Sequence, residues 1–136
     1  MIQGIAKPRE AMTAKLPLFV TLLICGISPA AADPHPRCFS ISEMNGWRSP
    51  DGKTIYFRTG SDHYYRLDLA RACSTLTSIN PHLVLEHHGG SLVCSALDLS
   101  VKASEQPAGI VEPCFAKTLT ELSAADVAAL PKDAKP

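Results

Sequence analysis

Five cysteines and five histidines are the residues of this chain whose side chains are best suited to redox, metal or acid–base chemistry. One cysteine, Cys25, lies inside an apolar N-terminal stretch, which leaves an even set of four: Cys38, Cys73, Cys94 and Cys114. An even set in a short exported chain is typical of structural disulfides. A paired cysteine has no free thiolate to act as a nucleophile. The sequence therefore predicts two disulfides rather than thiol chemistry.

Four cysteines allow three pairings, and the sequence alone leaves all three open. Cys38 and Cys114 are each followed by phenylalanine and lie near the two ends of the domain, so a bond between them would tie the terminal strands together. Cys73 and Cys94 flank a predicted strand and a glycine turn that would bring them close. We therefore favour Cys38–Cys114 and Cys73–Cys94.

The histidines are the next candidates, because His82, His87 and His88 lie near one another. Even spacing places two side chains on one face of a strand, and only His82 and His88 satisfy it. No cysteine or acid stands beside them at a recognised zinc spacing. No nucleophile elbow, phosphate loop or dinucleotide fingerprint is present either. We interpret the histidines as surface residues and expect no metal or cofactor. The alternatives are a weak metal site and a small secreted hydrolase that uses His82 or His88.

The N-terminal segment has the three parts of a secretory signal. Lys7, Arg9 and Lys15 precede the apolar residues of the 14–27 stretch, which begin at Leu16, and a run of small residues ends at Ala32. The run is shorter than the roughly 18 residues of a membrane-spanning helix. We predict cleavage after Ala32, with Met12 as an alternative start. Residues 1–32 would then be the signal peptide, and residues 33–136 a single periplasmic or secreted domain.

The composition of residues 33–136 limits the partners. This segment keeps all but three of the 13 basic residues and all but one of the 13 acidic residues, which leaves a net charge near −2. Without a basic excess we do not expect nucleic-acid binding. We expect no stable membrane span after cleavage. The leading hypothesis is a non-enzymatic binding or structural module of the envelope, with another envelope protein or a small ligand as partner.

The domain itself shows mainly β patterns. Residues 53–59 and 64–70 are rich in β-branched and aromatic residues around a polar loop, which favours a hairpin. Further strands are predicted at 82–87, 98–102 and 110–119, the last interrupted by Pro113 at an edge or bulge. Ser123 and Asp126 have the spacing of a helix start, Pro131 ends that helix, and residues 131–136 form a frayed tail. We predict five to seven strands in a small antiparallel sheet or partly open barrel, with a short C-terminal helix.

The outer face of the predicted hairpin is the best candidate binding surface. With Ile55 and Phe57 pointing inward, alternation places four other side chains outward: Tyr56, Arg58, Tyr64 and Arg66. Tyrosine and arginine are enriched at binding hot spots. The alternative is that they form cross-strand pairs that only stiffen the sheet.

A set of short motifs extends over nearly all of the domain: Cys38-Phe39, Gly46-Trp47-Arg48, Pro50-Asp51-Gly52-Lys53-Thr54, Tyr65-Arg66-Leu67, Cys73 with Leu76, Val93-Cys94, Cys114, and a Leu122–Leu130 tail. In their order and spacing the chain resembles a family of small exported bacterial proteins known as domain of unknown function 6491. The resemblance implies secretion and a common fold. It implies no activity and no functional residues.

Overall fold

The computed structural model describes residues 36–106 and 109–136. Cys25, the predicted signal and its cleavage site after Ala32 lie outside the described residues. Across the described ranges the chain forms seven β-strands, one short α-helix and several 3-10 turns. No helix of this part of the chain is both long enough and apolar enough to cross a membrane.

The strands form two antiparallel sheets. The first has the order β1-β2-β3-β7 and contains β1 (Met44–Arg48), β2 (Thr54–Thr59), β3 (His63–Leu69) and β7 (Ala116–Leu122). The second has the order β4-β5-β6 and contains β4 (Pro81–His87), β5 (Leu99–Glu105) and β6 (Glu112–Cys114). The prediction of a mainly β fold of five to seven antiparallel strands is confirmed. Over residues 36–106 and 109–136 the two sheets do not close into a barrel.

The β2–β3 hairpin supplies the centre of the core. Its inward side chains are almost fully buried: Ile55, Phe57, Tyr65, Leu67 and Leu69. The rings of Phe57 and Tyr65 stack with centroids 5.4 Å apart, and Phe39 packs 4.7 Å from Tyr65. Side chains from the second sheet and its loops, including Leu85, Val93 and Val101, complete the same cluster. Each such side chain contributes about 1.5–3 kcal/mol by leaving water, so the core joins the two sheets.

The turn before β2 is fixed by Asp51 and Gly52. The Asp51 carboxylate accepts hydrogen bonds from the backbone N–H groups of Lys53 and Thr54, at 2.9 and 2.7 Å. Gly52 has a φ of 68°, and a Cβ there would lie 3.0 Å from the carbonyl oxygen of Cys73. The Cys73 N–H donates to the Gly52 carbonyl at 2.8 Å. The turn therefore needs glycine and holds the Cys73 segment against the first sheet.

Two strand predictions differ from the structure. The single strand predicted over 110–119 is two strands, because the chain leaves β6 and enters β7 of the other sheet at Phe115. Pro113 lies in β6, an edge strand, where its missing N–H costs no ladder bond. β1 was not predicted, since its Asn45-Gly46 pair breaks the alternating pattern and forms a bulge opposite β2.

Two disulfides are present, but the predicted pairing is wrong. The bonds are Cys38–Cys94 and Cys73–Cys114, not Cys38–Cys114 and Cys73–Cys94. Phe39 and Val93 form an antiparallel bridge with N–H···O distances of 3.0 and 2.8 Å, which places Cys38 beside Cys94. The Ala70 N–H donates to the Phe115 carbonyl at 2.8 Å, which brings the segment after β3 to β6. Long-range bridges that the sequence does not reveal therefore decide the pairing.

The C-terminal helix α1 (Ala124–Ala129) begins as predicted. The Ser123 hydroxyl accepts the Asp126 N–H, and the Asp126 carboxylate accepts the Ser123 N–H at 2.9 Å. The frayed tail predicted for residues 131–136 is wrong: Lys132–Ala134 form a 3-10 turn, and Ala134 is 1% exposed. A Cβ on Gly46 of β1 would lie 3.8 Å from the Pro136 carbonyl carbon. The chain after β7 therefore returns to β1, at the opposite edge of its sheet.

Candidate functional site

A cleft of about 570 Å³ lies beside the end of β1. One side is the end of β1 and the turn after it, from Gly46 to Pro50, and the other is the segment Leu76–Ser78 with Pro81 at the start of β4. Asp133 of the C-terminal turn lines it as well. Ligand pockets in proteins have volumes of roughly 300–1,000 Å³, so this cleft has room for a small molecule.

Trp47 lines the cleft and is the only tryptophan of the chain. It pairs with Phe57 across β1 and β2 and packs against the core while remaining half-buried. Leu76, which is 2% exposed, and Pro81 extend the apolar lining on the opposite side. The cleft therefore offers an aromatic surface that is held by the core.

The cleft is also lined by polar residues, among them Arg48, Ser78 and Asp133. Arg48 is exposed, and its Nη1 donates to the Trp47 carbonyl at 2.9 Å. Within the described ranges neither Arg48 nor Asp133 forms an ion pair. The Ser78 Oγ is buried and has no hydrogen-bond partner there. Buried polar atoms are nearly always hydrogen-bonded, so the Ser78 Oγ is an exception, and it lies out of reach of a molecule in the cleft.

The Leu76–Ser78 wall is tied to both sheets. The Glu112 carboxylate of β6 accepts hydrogen bonds from the Thr75 N–H at 3.0 Å and the Thr75 hydroxyl at 2.8 Å. These bonds hold the pKa of Glu112 below its usual value. Cys73, just before the wall, is bonded to Cys114 of β6 and donates its N–H to Gly52. The cleft is therefore preformed rather than built on a free loop.

The predicted hairpin surface lies on the outer face of the first sheet. Tyr56 pairs with Arg66, and Arg58 pairs with Tyr64, so all four side chains share that face. The Arg66 guanidinium is engaged by Asp68, at 2.9 Å from Nε and 2.8 Å from Nη2. The Nε of Arg58 is instead buried and has no acceptor among the described residues. A binding role for this face stays a prediction.

The histidines chosen from the sequence are not brought together. His82 lies exposed on β4, and His88 lies beyond the end of that strand, so even spacing does not place them on one face. Over residues 36–106 and 109–136, neither imidazole has a carboxylate within 4 Å. In the same ranges, no three His, Cys, Asp or Glu side chains are grouped to hold a metal ion.

A different histidine, His63, does meet carboxylates. Its Nδ1 lies 3.4 Å from Glu121 Oε1 and its Nε2 lies 3.7 Å from Asp62 Oδ1. It lines a cavity of about 380 Å³ together with Thr59 and Tyr65. Sequence reasoning missed this cluster, because it depends on the pairing of β3 with β7, which sets Tyr65 opposite Glu121.

The partners of Glu121 and Tyr65 indicate a structural role for that cluster. Burial, followed by the nearby Glu121 charge, raises the pKa of Tyr65. The Tyr65 hydroxyl donates to the Arg37 carbonyl at 3.1 Å, and the Arg37 N–H donates to Glu121 at 3.0 Å. Both groups thus fasten the chain at Arg37 onto the first sheet, and their hydrogen-bonding capacity is used internally.

Comparison with known proteins gives one match. No curated protein and no solved structure matches the chain. A family model described as "Family of unknown function (DUF6491)" matches residues 5–136. The resemblance noted in the sequence is thereby confirmed. The chain belongs to the DUF6491 family.

Proposed function

We propose that this protein is an exported, non-enzymatic binding module that takes a small ligand in the Trp47 cleft. Export is supported by the signal-like pattern of residues 1–32 and by the two disulfides, which form and persist in oxidising compartments such as the periplasm and the extracellular space.

The observation that carries the proposal is the composition of the cleft. Trp47 and Pro81 supply apolar surface, while the exposed Arg48 guanidinium keeps N–H groups beyond the one that it donates to the Trp47 carbonyl. A mostly apolar concavity with a few convergent polar groups is the usual form of a small-molecule site. The fixed wall at Leu76–Ser78 reduces the ordering that binding requires.

The experiment uses 1-anilinonaphthalene-8-sulfonate, a probe with an aromatic body and one anionic group. Because Trp47 is the only tryptophan, energy transfer from tryptophan to the probe reports binding to the domain, and the comparison of variants assigns it to this cleft. We expect saturable quenching with one site per chain. Arg48→Ala should weaken binding about tenfold or more, because a charge-assisted hydrogen bond contributes about 1.5–3 kcal/mol.

Arg71→Ala is the matched control, since Arg71 is also exposed and stacks on Phe115 outside the cleft, with its Cζ 5.0 Å from the ring centroid. This variant should bind the probe like the parent protein. Absence of saturable quenching in the parent protein, or equal affinities of the Arg48 and Arg71 variants, would contradict the proposal.

A second candidate function is protein binding through the outer face of Tyr56, Arg58, Tyr64 and Arg66. It is favoured by the pairing of Tyr56 with Arg66 and of Arg58 with Tyr64, which gathers two tyrosines and two arginines on one face. A chain with Arg58→Ala and Arg66→Ala should keep its fold and no longer cross-link to an envelope protein captured by the parent chain. Unchanged cross-linking would exclude this face.

A further inference from the structure

Two unpaired and opposite charges line the Trp47 cleft. The Arg48 guanidinium belongs to β1, and the Asp133 carboxylate arrives with the C-terminal turn. They do not approach each other within the 4 Å of an ion pair, and neither has another ion-pair partner among the described residues. The cleft thus presents one positive and one negative group at separate points.

We propose that the cleft binds a zwitterion with an apolar body, that is, an amino acid or the end groups of a short peptide. This inference rests on the proposed function of the cleft as a ligand site. The carboxylate of the ligand would meet Arg48, whose planar guanidinium matches a carboxylate with two parallel hydrogen bonds. The ammonium group would meet Asp133, which has only acceptors when ionised.

The remaining lining fits the same class of ligand. An apolar side chain would lie on Trp47, opposite Leu76 and Pro81. A ligand with only one charge would leave either Arg48 or Asp133 without a partner. The lining therefore favours a molecule that carries both charges.

The experiment compares three ligands of one shape by Trp47 fluorescence and calorimetry: phenylalanine, 3-phenylpropanoate, which lacks the ammonium group, and 2-phenylethylamine, which lacks the carboxylate. We expect phenylalanine to bind at least about tenfold more tightly than either analogue, since each missing charge removes a charge-assisted hydrogen bond. Glycylphenylalanine is the fourth ligand. Tighter binding of glycylphenylalanine would identify the natural ligand as a peptide. Tighter binding of phenylalanine would identify it as a free amino acid.

Two variants test the residues separately. Arg48→Gln should abolish the preference for phenylalanine over 2-phenylethylamine, and Asp133→Asn should abolish the preference over 3-phenylpropanoate. Lys132→Gln is the control, because Lys132 is an exposed neighbour on the same turn and does not line the cleft. It should leave all affinities unchanged, and circular dichroism should show that every variant is folded.

The outcomes separate this inference from the proposed function. If the anilinonaphthalene sulfonate binds as expected but phenylalanine binds no better than its analogues, the zwitterion proposal is wrong and the cleft remains a ligand site. If neither the sulfonate nor any of the four ligands quenches Trp47 saturably, both proposals are wrong. Preference for phenylalanine that survives both the Arg48 and Asp133 variants would also overturn the inference.

Discussion

Removal of the two disulfides, one at a time, should cost different amounts of stability. The Cys73–Cys114 bond closes a sequence separation of 41 residues and the Cys38–Cys94 bond closes one of 56. The chain-entropy relation then gives about 3.9 and about 4.2 kcal/mol at 25 °C. Loop entropy alone therefore predicts nearly equal losses, with the Cys38–Cys94 bond slightly ahead.

The burial of Cys73 and Cys114 reverses the expected order of the two stability losses. Cys73 is 2% exposed and Cys114 is 6% exposed, whereas Cys38 and Cys94 are exposed. Replacement of the buried pair by alanine removes two sulfur atoms from the core and leaves part of their volume empty, which adds roughly 1–2 kcal/mol. We expect the Cys73→Ala/Cys114→Ala variant to lose about 5 kcal/mol. The Cys38→Ala/Cys94→Ala variant should lose about 4 kcal/mol.

The measurement is urea-induced unfolding of protein purified from an oxidising compartment, with the free energy extrapolated to water. Disulfide mapping by mass spectrometry is the control that each variant keeps the other bond. A larger loss for the Cys38–Cys94 pair would refute the argument that burial adds to loop entropy. A peptide that links Cys38 to Cys114 would refute the pairing itself.

Three further predictions concern single side chains. Asp51→Ala should lower the free energy of unfolding by about 1 kcal/mol in a urea titration, because its carboxylate organises the turn before β2. Asp62 is also exposed, and Asp62→Ala should change the same free energy by less than about 0.5 kcal/mol. Burial of Asp51 acts to raise its pKa, but hydrogen bonds from Lys53 and Thr54 outweigh it, and hydrogen bonds from Thr75 lower the pKa of Glu112. The stability that these two carboxylates contribute is therefore complete above their unfolded pKa values of 3.8 and 4.5. It is lost as the pH falls through the lower folded pKa values. The double variant Asp51→Asn/Glu112→Gln should therefore lose less stability than the parent protein below about pH 5, as measured by urea titrations. Arg58→Met should leave the thermal midpoint unchanged or raise it, because the buried Nε has no acceptor among the described residues; a lower midpoint would show that the guanidinium stabilises the fold.

Local patterns predicted the elements well where one face of the chain is buried. The alternation of Ile55 and Phe57 with Tyr56 and Arg58 fixed the hairpin faces, and the Ser123–Asp126 spacing fixed the helix start. Both signals arise from residues close in sequence. Strand β1 gave no such signal, because Gly46 at the bulge interrupts its period.

The disulfide pairing and the cleft could not be predicted, since both depend on contacts between distant segments. The Phe39–Val93 bridge decides which cysteine Cys38 meets, and no local pattern encodes it. Asp133 belonged to a tail predicted to be frayed, yet Ala134 is buried beside it and the turn reaches the cleft. In the sequence Arg48 is only part of the Gly46-Trp47-Arg48 motif, and its place in the cleft without an ion-pair partner is visible only in three dimensions.

The position of the buried disulfide links stability to the proposed binding. Cys73 precedes the Leu76–Ser78 wall, and Cys114 follows Glu112, which accepts the hydrogen bonds of Thr75. Reduction of this one bond would remove the covalent link between the wall and β6 and leave non-covalent contacts: the Glu112 hydrogen bonds, the Cys73–Gly52 hydrogen bond and the burial of Leu76. Because a preformed site avoids the ordering cost of binding, a loosened wall should weaken ligand affinity even in a folded chain. The exposed Cys38–Cys94 bond has no residue in the cleft, so its loss should reduce stability without changing affinity.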